Sequence, residues 1–270
     1  MQEMSSTGPE RAAGAAPTNA SLQGARGARA PQAGTRAGQK AVQAATAIYL
    51  VLWAILAVHP ADRITWLLEN ALVLMLVAAL WLMRRQFRFS NASLLLIILF
   101  LALHMVGSHY TYSEVPYDRW WQSLTGHTFN SIFGWQRNHY DRLVHFSYGL
   151  LLAYPIREFF LRIVEVRGFW AYFLPLDVTL STSALYELIE WGAAMTFGSD
   201  VGMHYLGSQG DIWDAQKDMA MAALGALICM LITALLNRGM RRDLAWEWSQ
   251  GMKIRTTDAT LKAVETRKRL

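Results

Sequence analysis

Six apolar segments recur along this chain, approximately Val42–Val58, Ile64–Met83, Ala92–Gly107, Leu143–Val164, Tyr172–Phe197 and Met219–Asn237. A helix needs roughly 20 apolar residues to cross a bilayer core, where it satisfies every backbone polar group within itself. The pattern predicts an all-α, polytopic integral membrane helical bundle with about six transmembrane helices, occupying residues 42–242. The third segment is short and the fifth is long. Pro175, near the start of the fifth, predicts a first-turn proline or a kink there. No internal repeat is visible.

The ends differ from this middle. Residues 1–41 are mostly Ala, Gly, Ser, Pro and Arg, with almost no large apolar side chain. Such a segment cannot bury enough surface to offset the entropy of ordering, so it reads as a disordered tail. It has no apolar run near its start of the kind a signal peptide needs. A bacterial low-complexity extension is the expectation, with a cleaved transit peptide as the alternative. The net charge is +5, yet the basic residues flank apolar runs, which points to orientation in a bilayer and against nucleic-acid binding.

Basic residues mark alternate connections: Arg26, Arg29, Arg36 and Lys40; Arg84, Arg85 and Arg88; Arg162 and Arg167; Arg238, Arg241 and Arg242. The positive-inside rule makes that side cytoplasmic, with both termini inside and residues 243–270 as a basic cytoplasmic tail. The opposite connections are His59–Arg63, Ser108–Arg142 and Gly198–Lys217. His59–Arg63 reads as a polar turn held by a cap and an ion pair. The long middle connection carries Trp120, Trp121, Phe129, Phe133 and Trp135, and is expected along the outer interface with a short amphipathic helix. A stacking surface for a ligand is the alternative.

Polar residues gather toward that same side. Glu187 and Glu190 lie inside the fifth apolar run, and intramembrane carboxylates are costly enough to need a partner, a cavity or an ion. Glu187 lies about ten residues from the outer end of its span, roughly 15 Å deep. His109 closes span three; Asn138, His139, Asp141, Arg142 and His145 lead into span four; Asp211, Asp214 and Asp218 lead into span six. Glu69, early in span two, either joins them or pairs with Arg63. Asp141 and His145 are spaced to share one helical face, as are Glu187 and Glu190, and Asp214 and Asp218.

Three resolutions of so much charge are open. A divalent cation could gather the ligands, with His139, Asp141, His145, Asp214 and Asp218 as candidates. The single cysteine, Cys229, excludes a disulfide and a thiolate site, so Mg²⁺, Mn²⁺, Zn²⁺ or Fe²⁺ would be expected. Some carboxylates could instead be protonated. Or Arg142, Lys217 and the histidines could neutralise them in a register-fixing network, with Asp141–Arg142 and Lys217–Asp218 as ordinary pairs. In an enzyme, Glu187 or Glu190 would be the catalytic base. His104 and Ser181–Ser183 read as interhelical hydrogen-bonding residues, and Ala222 and Gly225 as a close-packing patch.

These stretches resemble the YjdF-type bacterial inner-membrane proteins, a family of unknown function. The resemblance is carried by His59-Pro60-Ala61-Asp62-Arg63 with Trp66 and Glu69, and by Gly107-Ser108-His109-Tyr110-Thr111-Tyr112-Ser113-Glu114-Val115-Pro116. Further matches are Arg137-Asn138-His139-Tyr140-Asp141-Arg142, His145-Phe146, Ser183 to Trp191, and Gly207 to Gln216 with Asp218-Met219. Residues 126–134 look like an insertion. More distantly, Asp-Arg-x-x-His followed by a buried Glu and a final-span Asp is similar to VanZ-like membrane proteins. The resemblance implies a multi-pass protein of the bacterial inner (plasma) membrane. The expected partners are the lipid bilayer and a lipid or envelope-precursor ligand. Two function classes follow: an intramembrane enzyme on such a ligand, or a proton- or ion-linked transporter. A structural membrane protein is the third.

Overall fold

A computed structural model describes residues 36–84, 87–197, 208–240 and 243. Residues 1–35 and 244–270 of the expected tails, Arg85, Arg241, Arg242 and the first half of the Gly198–Lys217 connection therefore lie outside the described residues. Residues 36–41, expected to close the disordered tail, instead form the first turns of a helix that continues into the apolar run. The described chain is all-helical. Its elements are α1 (Arg36–Leu56), α2 (Arg63–Met83), α3 (Asn91–Tyr110), α4 (Tyr117–Thr125), α5 (Phe129–Phe133), α6 (Tyr140–Phe159), α7 (Trp170–Phe197) and α8 (Asp214–Met240). Helices α1, α2, α3 and α8 are long and apolar enough to cross a membrane. Helices α6 and α7, at 20 and 28 residues, match the other two expected spans in length but carry charges along their course.

The arrangement is inside-out relative to a water-soluble bundle. Helix α2 buries only Thr65, Glu69 and Asn70, while Leu74, Met75 and Leu82 are exposed. Leu185, Leu188, Leu235 and Leu236 are likewise exposed, whereas His145, Glu158, Asp214 and Asp218 are buried. Lipid tails solvate leucine as well as another helix does, so polar contacts and close packing hold the helices together. Asn70 illustrates this: it accepts a hydrogen bond from Trp53 Nε1 of α1 at 2.8 Å.

Helix α6 is the centre, packed against α3, α7 and α8. Its closest partner is α8. A Cβ at Gly149 would stand 1.9 Å from the carbonyl oxygen of Ala222, and one at Gly225 would stand 2.1 Å from that of Phe146. The two backbones thus touch through reciprocal glycines, beside buried Ala153, Ala226, Cys229 and Met230. The expected small-residue patch on α8 has its counterpart on α6, and Cys229 faces the helix seam.

The connections follow local chemistry. Asp62 caps α2 by accepting from the Thr65 N–H at 2.6 Å, and Arg63 donates to the carbonyls of Ala57 and Val58. Helices α4 and α5 end at Gly126 (φ 80°) and Gly134 (φ 67°), both left-handed, where a Cβ would be strained. Trp121, Phe129, Phe133, Trp135 and His139 then form a run of neighbouring rings, with centroids 4.4–6.2 Å apart. Pro175 lies inside α7, in its second turn, because that helix starts at Trp170. Helix α6 holds Pro155 and closes in a π-turn, Phe160–Val164.

A second buried network ties the other end of α6. Glu158 accepts from the Ser90 N–H and Oγ, each at 2.8 Å, and from Ser93 Oγ and Arg162. Arg157 pairs with Asp243 and lies over the Tyr172 ring. Arg157 and Glu158 are each only 1% exposed. Arg162, expected as a charge marking the cytoplasmic side, is thus a buried partner within this network.

Candidate functional site

The first turns of α6 and α8 and the middle of α7 meet at one end of the bundle. His145, one turn after Asp141 on α6, places Nε2 3.7 Å from Asp141 Oδ1 and 3.4 Å from Glu187 Oε1 of α7. Its other nitrogen, Nδ1, lies 3.4 Å from Ser183 Oγ, one turn before Glu187. Asp141, Asp214 and Asp218 bring one carboxylate oxygen each to within 4.8 Å of one another. Asp218, 2% exposed, meets Arg142 Nε only at 4.0 Å. Neither Glu187 Oε1 nor Asp218 Oδ1 receives a hydrogen bond among the described residues, although both atoms are buried.

A guanidinium clasp closes the outer side. Arg137 lies 2.7 Å from Asp214 Oδ1, and Arg142 contacts Asp211 at 2.5 Å and Asp214 at 3.2 Å. Lys217 joins Asp211 at 2.7 Å. Asn138 and Gln209 exchange hydrogen bonds of 2.9 and 3.0 Å, stitching the segment before α6 to the turn before α8. The expected pairs Asp141–Arg142 and Lys217–Asp218 are not formed. Each residue turns about 100° from its neighbour on a helix. Both basic side chains therefore reach Asp211, while Asp141 and Asp218 face inward.

Of the five candidate metal ligands, Asp141, Asp214 and Asp218 converge and His145 touches Asp141. His139 does not join them: its Nδ1 lies 3.2 Å from Arg142 Nη1 and its ring meets Trp135. Burial first, then Arg142 and Arg137, lower the pKa of His139, favouring a neutral ring. Glu190 is buried one helical turn from Glu187. His109 stands apart, its Nδ1 2.8 Å from the Leu56 carbonyl oxygen.

Sequence reasoning missed an adjoining acid–phenol–imidazole group. Tyr186 donates to both oxygens of Glu69, at 3.0 and 2.9 Å, and its ring packs edge-on to His145. Tyr112 folds back over Gly107, where a Cβ would be 2.5 Å from the ring, and its hydroxyl lies 2.5 Å from His104 Nδ1. The readable signal was the spacing His104, Gly107, Ser108, a polar and small face on an apolar helix. Glu69, left open between the cluster and Arg63, belongs beside the cluster.

Beneath these groups lies a cavity of about 400 Å³. Leu72, Leu76, Phe100, Leu152 and Ile156 form apolar walls, and Asp141, His145, Tyr112, His104 and Tyr186 line its polar part. Seven carboxylates, Glu69, Asp141, Glu187, Glu190, Asp211, Asp214 and Asp218, stand in this region against the permanent cations Arg137, Arg142 and Lys217. A protonated carboxyl or a bound cation would relieve the excess.

Residues 41–239 match the model of a family described as predicted membrane protein (DUF2238). The chain belongs to this family. A relative is the Inner membrane protein YjdF of Escherichia coli (strain K12), 39% identical over 183 residues, 67% of this chain and 83% of the relative. No solved structure matches the chain. The matched stretch holds every residue of the cluster, so the candidate site lies within the family's shared region.

Asp211 carries a pH prediction. The Lys217 hydrogen bond, then the Trp213 N–H and Arg142, hold its carboxyl well below the usual range. A depressed folded-state pKa stabilises above the unfolded value and loses that contribution as pH falls through the folded value. The stability difference between wild type and Asp211→Asn should stay constant from neutral pH to about pH 5 and shrink only below about pH 4. Thermal melts in detergent measure it. A difference that vanishes by about pH 6 would contradict the clasp.

Proposed function

We propose that this protein is an inner-membrane enzyme acting on a lipid or lipid-linked envelope precursor, with both termini cytoplasmic and its polar cluster on the periplasmic side. The observation that carries the reading is the cavity: apolar walls sized for a hydrocarbon chain end at Asp141 and His145. An amphiphile with its tail in the chamber would present its head group to the cluster. Glu187, in contact with His145, is the general base, and His145 shuttles the proton. Glu190 supports Glu187 from the next turn. Asp141, Asp214 and Asp218 would hold a divalent cation, which would supply Lewis-acid polarisation of the head group.

Elemental analysis of the detergent-purified full chain tests the cation. About one divalent ion per chain is expected, falling at least tenfold in Asp218→Asn and Asp141→Asn, as outer-shell losses alone reach that size. A folded, metal-free wild type would remove the cation and leave acid–base chemistry by Glu187 and His145. A second reading, a proton- or ion-linked carrier, is favoured by one observation: Glu187 and Glu190 occupy a single stripe inside a 28-residue helix. Solute uptake into proteoliposomes driven by a proton gradient would support it over the enzyme.

A further inference from the structure

The end of the bundle opposite the cluster carries a different cavity, of about 490 Å³, between α1, α2, α3 and the end of α6. Leu80, Met83, Leu94 and Phe89 make its apolar part, and Arg84, Arg88 and Arg162 bring charge. The three guanidinium groups are not equivalent. Arg162 is engaged by Glu158 and lies 4.7 Å over the Phe87 ring. Glu158 is itself saturated by Ser90, Ser93 and Arg162. Arg84 and Arg88 are exposed, and neither meets a carboxylate among the described residues. Arg84 lies 3.9 Å over the ring of Trp81, itself 60% exposed. An exposed Trp at the end of an apolar helix marks the headgroup level of a bilayer.

We propose that this cavity binds one anionic phospholipid, its phosphate between Arg84 and Arg88 and an acyl chain along Leu80, Met83 and Leu94. Two uncompensated guanidinium groups at headgroup depth, above apolar walls, match the charge and amphiphilicity of that ligand. The chain's own segment beyond residue 243 is a poor occupant. It holds Lys253, Arg255, Lys262, Arg267, Lys268 and Arg269 against fewer acids, so it repels the same arginines. This site is independent of the proposed chemistry at the other end.

The test uses the full chain in neutral detergent, with phosphatidylglycerol and phosphatidylcholine added in equal amounts and retained lipid read by native mass spectrometry. Retention of one phosphatidylglycerol with about 30-fold preference is expected for two basic contacts at a membrane surface. The double variant Arg84→Gln/Arg88→Gln should lose that preference while eluting and melting as wild type, because both side chains are exposed. Arg84→Lys/Arg88→Lys should keep most of it. Equal retention of the two lipids, or an unchanged preference in the Gln variant, would overturn the proposal. Displacement of phosphatidylglycerol by excess inorganic phosphate would also overturn it, by showing a bare anion site.

Discussion

Gly149→Ala should destabilise the bundle by about 3 kcal/mol or more, the upper range for forcing extra atoms into a packed interior. The new methyl would land 1.9 Å from the Ala222 carbonyl oxygen, which is backbone and cannot swing aside. The same argument covers Gly225→Ala, whose methyl would stand 2.1 Å from the Phe146 carbonyl oxygen. The helices must separate, and separation moves more than the seam. His145 sits one turn before Gly149 on α6, and Asp218 lies two turns before Gly225 on α8. Thermal melting of purified protein should show the loss. A variant as stable as wild type would mean that α6 and α8 do not approach this closely.

Glu187→Gln tests chemistry without disturbing packing. The amide preserves shape but cannot accept a proton, and general-base losses are typically 10²- to 10⁴-fold. If the protein turns over an envelope amphiphile as proposed, the turnover restored to cells lacking the native gene should fall at least about 100-fold in this variant. Protein abundance in the membrane should match wild type. Glu190→Gln should cost less, since Glu187 holds the contact with His145. Full restoration by Glu187→Gln would favour a structural network, in which an amide replaces a carboxylate without loss.

The spans were legible where apolar length alone defines them, as in α2 and α3, whose boundaries fall within a few residues of the hydropathy reading. Helix ends were less so. The apolar run of the last span starts at Met219, yet α8 starts at Asp214, because a buried carboxylate with partners does not stop a helix. Which helices contribute polar stripes was readable from spacing. Which residues pair was not, because Arg142 bypasses its neighbour Asp141 for Asp211, 69 positions away. The Glu158 network was invisible for the same reason: its serines lie 65–68 positions earlier. The roles of the Tyr112 and Tyr186 hydroxyls were not readable either, since only the fold sets them against His104 and Glu69.

The most direct measurement is photolabelling with an envelope-type amphiphile bearing a diazirine in its tail, followed by peptide mapping. Label is expected on the cavity wall at the buried Leu101 and Leu152, 6% and 8% exposed. A Leu101→Trp variant that fills the chamber should lose that label while keeping it on outward residues such as Leu188. Label confined to the outward faces of α7 and α8, with nothing at Leu101 or Leu152, would contradict an amphiphile bound beneath the acid–imidazole cluster.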